Sequence, residues 1–499
     1  MFHSKMFGEK PNYRDAHFQP LKSTVPSPVD DYHLSQIPDS ERHLDGNPAF
    51  DRPLTVQFCS NNPDDFLAAA KHVAPFCDAV DLNLGCPQGI AKRGKYGAFL
   101  QEDWDLIARM IRKLHEELDV PVTAKMRCLE TREKTLEYAK TILDAGASII
   151  TVHGRRREQK GHNTGLADWT MIRYLRENLP KDTVIFANGN ILQHEDIAAC
   201  LEATGADGVM SAEGNLYDPT IFSEPPPVGQ EGREYWRGRD GKGGYRMDAV
   251  MRRYLDIIHK YALGQEPPQR KPLWMPGDPE EEPTQEEKKE EEDEEGPPKK
   301  KRKQMTKAEY KKEKASNPNL TAMQAHLFHL LRPLVSEHHN VRDALARSRT
   351  GDIDAFENVL TLTEQAVKQG IMKYEQEHAN DTQSNGPSAN PQPPCTEPAQ
   401  DLDPYESSLA TVARCKRPYW VCQPYVRPLP KEALEKGSMT ISKKEKKRLE
   451  QEAEQSASKE ETENKAVGLE AGGRVQKEVL EIGSKTEVVE EPKDGVVCG

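Results

Sequence analysis

From about Pro53 to Glu213, short apolar and β-branched runs alternate with stretches of helical periodicity. The runs predict strands at residues 54–58, 79–84, 120–126, 148–153, 184–187 and 208–211. Taken as nearly continuous apolar segments, they fit parallel strands covered on both faces. The helices between them mark their own ends. Asn62-Pro-Asp-Asp supplies an N-cap, a proline at the first helical position and acids for the helix dipole, before Phe66, Ala69, Ala70 and Val73 recur at helical spacing. Leu136, Ala139 and Leu143 make another apolar stripe, closed by Gly146. Repeated strand and helix units are α/β in class and point to a (β/α) barrel or a doubly wound sheet, and spacing alone does not choose between them. Only six strands are legible after residue 50, whereas a closed barrel of this kind has about eight.

Beyond Leu216 the pattern changes. Residues 245–263 read as one long amphipathic helix, and residues 319–374 as two or three more, with Leu327, Leu330, Leu331, Val359 and Val367 as core candidates. They predict a small helical domain over 240–264 and 318–376. Blocks of Glu and then Lys mark residues 265–317 as a disordered charged insert. Residues 378–407 are rich in Pro, Asn, Gln and Ser, and the chain from about 430 is rich in Glu and Lys. The region 378–499 is therefore expected to be mostly disordered, apart from a short aromatic segment at 415–427.

Composition sharpens this division. Only 35% of residues are hydrophobic, 30% are charged and the mean hydropathy is -0.81, so polarity must concentrate in tails and inserts. A formal charge of -13 repels phosphate overall, and any RNA-binding surface must be local. Nine cysteines, singly spaced without a CxxC pair, suit a reducing compartment better than a disulfide framework. The N-terminal residues lack a signal-peptide core, and there is no apolar run of about 18 residues, so an intracellular chain with no membrane partner is expected.

Among the cysteines, Cys86 stands just past the C-terminal end of a predicted strand, where barrel enzymes place their chemistry. A thiol there, with an ordinary pKa of about 8.5, can serve as acid or nucleophile. For an arbitrary cysteine the commoner role is a small buried apolar residue. The run Asp81-Leu-Asn-Leu-Gly-Cys-Pro-Gln-Gly-Ile-Ala-Lys-Arg-Gly-Lys-Tyr-Gly-Ala-Phe-Leu100 resembles the signature of tRNA-dihydrouridine synthases. Its Gln-Gly-Ile-Ala-Lys-Arg-Gly portion is similar to the eukaryotic branch acting on D-loop positions 16 and 17. Further similar segments follow in order at residues 56–60, 122–127, 151–155, 187–191 and 208–214.

This resemblance implies a (β/α)8 TIM barrel over residues 1–225 that binds FMN, followed by a helical tRNA-binding domain that includes the basic residues Arg332, Arg342, Arg347 and Arg349. Family members open with two strands for which no counterpart is legible. Met1-Phe-His-Ser-Lys-Met looks like the chain just after the second of them, so an N-terminally truncated barrel is expected. The implied reaction reduces the C5–C6 double bond of a tRNA uridine with reduced FMN, itself regenerated by NADPH or NADH. Cys86 would protonate C5 while hydride reaches C6. Asn83 would bind the uracil edge, although a turn residue capping the strand is about as common a fate for an isolated Asn. By the same resemblance Gln57 and Lys125 contact the flavin and His153 reads flavin or uracil oxygens, although an isolated His is more often structural. Arg127 and, from the basic loop that it opens, Arg155 are candidates for gripping substrate. The FMN phosphate would meet Asn188, Gly189, Asn190, Ala212 and Glu213. Many family members carry Gly-Arg at this last site, so Glu213 removes a cation there.

Three further features complete the reading. The basic run from Arg155 to Lys160 is a candidate grip on tRNA phosphates. The run from Pro297 to Lys303 is close to a nuclear localisation signal read by an import receptor, which makes the expected location cytoplasmic, nuclear or both. Six residues separate Cys415 from Cys422, whereas zinc sites usually place about two to four between ligands, so no metal is expected. The chain is expected to be a monomer. A flavin oxidoreductase for free pyrimidines and a non-catalytic tRNA-binding protein are the competing readings.

Overall fold

A computed structural model describes residues 1–21, 37–38, 41–279, 318–378, 408–429 and 432. The described residues up to Arg427 belong to one compact unit, which holds the elements below. Seven strands make one parallel sheet: β1 (Phe2–His3), β2 (Thr55–Cys59), β3 (Ala79–Leu84), β4 (Val122–Cys128), β5 (Ile149–Arg156), β6 (Val184–Asn188) and β7 (Gly208–Met210). All six predicted strands are present. The seventh, β1, is new: Phe2 pairs with Phe58 and His3 with Cys59, so the first residues are themselves part of a strand rather than the chain after one.

The strands neighbour one another in sequence order, β1 through β7. A doubly wound sheet needs a point where that order reverses. Without one, right-handed crossovers place every helix on the same face, and the sheet curls as a barrel does. The helices lie where the sequence signals predicted them. Asn62 caps the helix Pro63–Val73 by accepting from the backbone N–H of Asp64 (2.8 Å) and Asp65 (3.1 Å).

One expectation is corrected. The strands are not apolar on both faces. Val56, Phe58, Val80, Leu82, Leu84, Val122, Ala124, Met126, Ile150, Val152, Ile185 and Ala187 are buried on the outer, helix-covered face, where Phe58 meets Phe66 of the first long helix. The alternate positions face inward and are mostly polar, yet Asp81, Asn83, Thr123, Lys125, Arg127, Thr151, His153 and Asn188 are also buried.

Past the sheet, a hairpin the sequence did not reveal, β8 (Tyr235–Arg237) and β9 (Gly243–Tyr245), leads into the helix Met247–Ile257 and a π-helical turn, Ile258–Leu263. The helices Pro318–Thr321, Met323–Leu330, Arg332–Glu337, His339–Arg347 and Ile353–His378 follow, in more pieces than predicted. Pro333 has no N–H to continue the helix before it, so a new one begins at Arg332. The expected core residues Leu327, Leu330, Leu331, Val359 and Val367 are all buried there, joined by Trp420 and Val421 from the aromatic segment.

Two stretches expected to be disordered are not. Within 265–279, Arg270 pairs with Asp256 and with Glu357 (2.8 Å), Leu273 is buried, and the Trp274 carbonyl accepts from Arg246 (2.7 Å). These anchors tie the early insert to the helices. Residues Ser408–Cys415 form a helix whose Arg414 pairs with the buried Asp196 (2.7 Å). The rest of the insert, with Pro297 to Lys303, and residues 379–407 lie outside the described residues. Among the described residues no helix is long and apolar enough to cross a membrane, and no group of three His, Cys, Asp or Glu side chains could hold a metal.

Candidate active site

The strand register places the inward polar side chains in adjacent pairs: Gln57 with Asp81, Asn83 with Lys125, Arg127 with His153, and His153 with Asn188. Burying such groups costs free energy unless they bond to one another. Gln57 shows how this is met. Its amide N–H donates to Asp81 (2.7 Å), and its carbonyl oxygen accepts from Asn83 Nδ2 (2.8 Å). The Thr123 hydroxyl donates to the other Asp81 oxygen (2.6 Å). Burial pushes the Asp81 carboxyl above its usual range, against the lowering effect of the Thr123 and Gln57 hydrogen bonds. Sequence reading gave Asp81 no role. The available signal was a carboxylate in the middle of a buried strand.

Asn83 also fixes Cys86. Its Oδ1 accepts from the backbone N–H of Cys86 (2.9 Å) and of Gly85 (3.1 Å). The Cys86 carbonyl accepts from Ala98 N–H (3.1 Å). Gly97 permits that approach: at φ +63, a Cβ on it would lie 2.8 Å from the Cys86 oxygen. Asn83 therefore plays the strand-capping part, and through it the buried thiol sits on a loop with a fixed backbone.

The basic residues tie loops together. Arg127 donates to the carbonyls of Gly85 (2.7 Å), Arg156 (3.0 Å) and Gln159 (3.3 Å), bracing the Cys86 loop against the loop after β5. Arg155 donates to Gly165 O (3.0 and 2.9 Å), Asn190 Oδ1 (2.9 Å) and His153 Nε2 (3.1 Å). Burial and the neighbouring Arg127 push its guanidinium down to about 10. Arg157 pairs with Glu102 (2.7 Å), and Lys160 donates to Pro87 O (2.7 Å). Most of the run 155–160 thus ties active-site loops together. Arg156 keeps an exposed side chain.

Burial, with Lys125, Arg127 and Arg155 close by, holds His153 well below its ordinary range, so its ring is neutral. Because Arg155 can only donate, Nε2 accepts and the ring proton resides on Nδ1. That Nδ1 is buried without a partner, as is Oδ1 of Asn188, whose Nδ2 donates to Met210 O (2.7 Å). Buried polar atoms in folded proteins almost always have partners. One orphan donor and one orphan acceptor on neighbouring strands, near the buried Lys125, fit a planar ligand with acceptors and donors on its edge, as an isoalloxazine has.

In the loop after β6, Gly189 (φ +109) brings the chain so close that a Cβ would lie 2.6 Å from Ala167 Cβ. Asn190 bonds both backbone groups of Ala167 at 3.1 Å. After β7, Ala212 caps the short helix Glu213–Tyr217. The cation missing at Glu213 returns from elsewhere in the chain: Arg427 donates to its carboxylate at 3.0 and 2.7 Å.

The family model for dihydrouridine synthase (Dus) matches residues 30–252. The tRNA-dihydrouridine(16/17) synthase of Schizosaccharomyces pombe is 39% identical over 430 residues, covering 86% of this chain and 81% of that protein. The chain belongs to the dihydrouridine synthase family. The Saccharomyces cerevisiae enzyme of the same name is also 39% identical over 430 residues, covering 86% of this chain and 77% of its own. Both names carry NAD(P)(+). A relative from Rattus norvegicus, a tRNA-dihydrouridine(16/17) synthase-like protein, is 34% identical over 394 residues, 79% of this chain and 65% of that one. Membership of this family makes the barrel the reading of the curled seven-stranded sheet.

Proposed function

We propose that this chain is a tRNA-dihydrouridine synthase acting on D-loop uridines 16 and 17, with FMN as its flavin and NADPH or NADH as reductant. The observation that carries the proposal is the Cys86 thiol, held by Asn83 at the rim of a buried polar face whose His153 and Asn188 each leave one polar atom unpartnered. When bound, reduced FMN supplies the hydride for uracil C6. Gln57, Lys125 and His153 would hold the isoalloxazine edge, with the Lys125 ammonium offsetting the negative charge of the reduced ring. Backbone around Asn188, Gly189, Asn190 and Ala212, together with Arg427, would take the phosphate.

Cys86 holds the proton that C5 requires. With its backbone fixed by Asn83 and Ala98, the thiol reaches C5 without reordering the loop, which is where positional catalysis gains. A D-loop uridine must first leave its stack, at a cost of a few kcal/mol. Contacts from the helical part, where Arg342, Arg347 and Arg349 are exposed, offset that cost. The proposal includes a monomer located in the cytoplasm, the nucleus or both, with Pro297 to Lys303 as the import sequence. Nucleoside mass spectrometry of unmodified tRNA incubated with protein, FMN and NADPH tests it: dihydrouridine at positions 16 and 17 is expected, and uridine unchanged there refutes the reading.

A further inference from the structure

A cleft of about 350 Å³ opens between the end of the helix Glu213–Tyr217, the helix Arg332–Glu337 and the segment after Ser408–Cys415. Tyr217 and Tyr425 lie on its wall with ring centroids 5.9 Å apart, and the Arg332 guanidinium sits 3.9 Å over the Tyr425 ring. Lys416 lies on the same lining, and no carboxylate does. Among the described residues neither Arg332 nor Lys416 is paired with an acid, while the chain as a whole carries -13. An acidic protein that concentrates two cations around the exposed Tyr425 ring presents the chemistry that single-stranded nucleic acid recognises, a ring for the base and charge for its phosphate.

The cleft's position gives it a role. Glu213, at the start of the helix that ends at Tyr217, bonds Arg427, and both bear on Arg155 beside His153. That helix is only about 6 Å long, so the cleft adjoins the candidate active site. The polar groups around it carry little sequence information. Gln423 donates to the carbonyls of Arg417, Pro418 and Val421, and the Ser336 hydroxyl donates to Pro333 O. Neither is directed to a base edge.

We propose that this cleft binds one unstacked nucleotide of the tRNA next to the target uridine, its base on Tyr425 and its phosphate on Arg332 and Lys416, without preference for base identity. The inference rests on the tRNA reading above. A pyridine nucleotide offers the same ring and phosphate chemistry, so the test separates the two.

The full-length flavoprotein and its variants Tyr425→Ala, Tyr425→Phe and the double variant Arg332→Ala with Lys416→Ala are compared. Three readouts are taken: anisotropy of fluorescein-labelled hexauridylate over a range of salt, KM and kcat for unmodified tRNA, and KM for NADPH. Tyr425→Ala is expected to weaken hexauridylate binding and raise the tRNA KM roughly five- to tenfold with kcat little changed, and Tyr425→Phe to restore both. Losing two phosphate contacts lowers the salt slope of single-strand binding by about 1.4. A tRNA KM and salt slope unchanged in every variant, or a rise confined to the NADPH KM, overturns the inference. A wild-type protein that makes no dihydrouridine but loses hexauridylate binding through Tyr425→Ala removes the proposed function and leaves the cleft standing.

Discussion

The inner face of β2–β6 and the core of the helical part are both buried, and they are built from opposite materials. On the sheet face Gln57, Asp81, Asn83 and Thr123 hold one another in place by hydrogen bonds, Arg127 bonds the Gly85 carbonyl and His153 bonds Arg155, with two polar atoms left over. In the helical part, leucines, valines and Trp420 fill the interior, and one buried ion pair, Arg246 with Asp248 (2.6 Å), closes its edge. The first arrangement aims groups at a ligand and adds little to stability, because each bond replaces one that water would make. The second removes apolar area from water, which is where folding free energy comes from. Substitutions on the sheet face should therefore be read in turnover, and those in the helical core in stability.

The largest expected effect is at Cys86. Cys86→Ala should slow dihydrouridine formation about 10²- to 10⁴-fold while leaving the thermal melt and bound flavin as in wild type. A lost melt in place of lost turnover would break the comparison. Next, Leu327→Ala, fully buried, should cost about 2–5 kcal/mol in urea denaturation, with kcat per folded molecule unchanged. Asp81→Asn sharpens the sheet side. The new amide offers one oxygen in place of two. With that oxygen kept on Gln57 its NH2 donates to the Thr123 hydroxyl, so Gln57 keeps its bond from Asn83 and kcat is expected to change less than about threefold. Stability at neutral pH should hold or rise. A carboxyl raised on folding contributes stability below its unfolded pKa of about 3.9, lost as pH climbs through the folded value, so at pH 7 the aspartate is a burden asparagine does not carry.

His153 has the opposite sign. Its lowered pKa makes its contribution complete above about 6.5 and lost as pH falls below that, when the unfolded chain binds a proton the folded ring refuses. Denaturation midpoints measured from pH 7 to pH 5 should fall less in His153→Gln than in wild type, and parallel curves would refute that assignment. The smallest effect belongs to the exposed Arg427–Glu213 pair, whose side chains keep 47% and 35% exposure. Arg427→Ala should change stability by less than about 1 kcal/mol, discounted for solvent screening, and show itself in weaker FMN retention on dialysis.

Much of this was legible in the chain. Cap residues such as Asn62 and the short β-branched runs located six strands, because those signals act within a few residues of themselves. The segment around Cys86 was legible by resemblance. The alternation within Val80-Asp-Leu-Asn-Leu84 was in view as well, but a polar inward face that is nonetheless buried is not what alternation ordinarily signifies. The hairpin β8–β9 escaped notice because three-residue strands hold too little pattern, and the anchoring of residues 265–279 because Arg270 finds Asp256 and Glu357 only after the helices pack.

Local order in the amino-acid sequence determined the strands and helices, the cysteine at the end of β3 and the family. Tertiary structure alone decided the partners: that Arg127 and Arg155 brace loops, that Asp81 orients Gln57, and that Arg427 returns a cation to Glu213 from 214 residues away. The reason is physical. Backbone propensity depends on neighbours along the chain, whereas the role of a charged side chain depends on which donors and acceptors folding brings within about 3 Å, and those come from anywhere in the sequence.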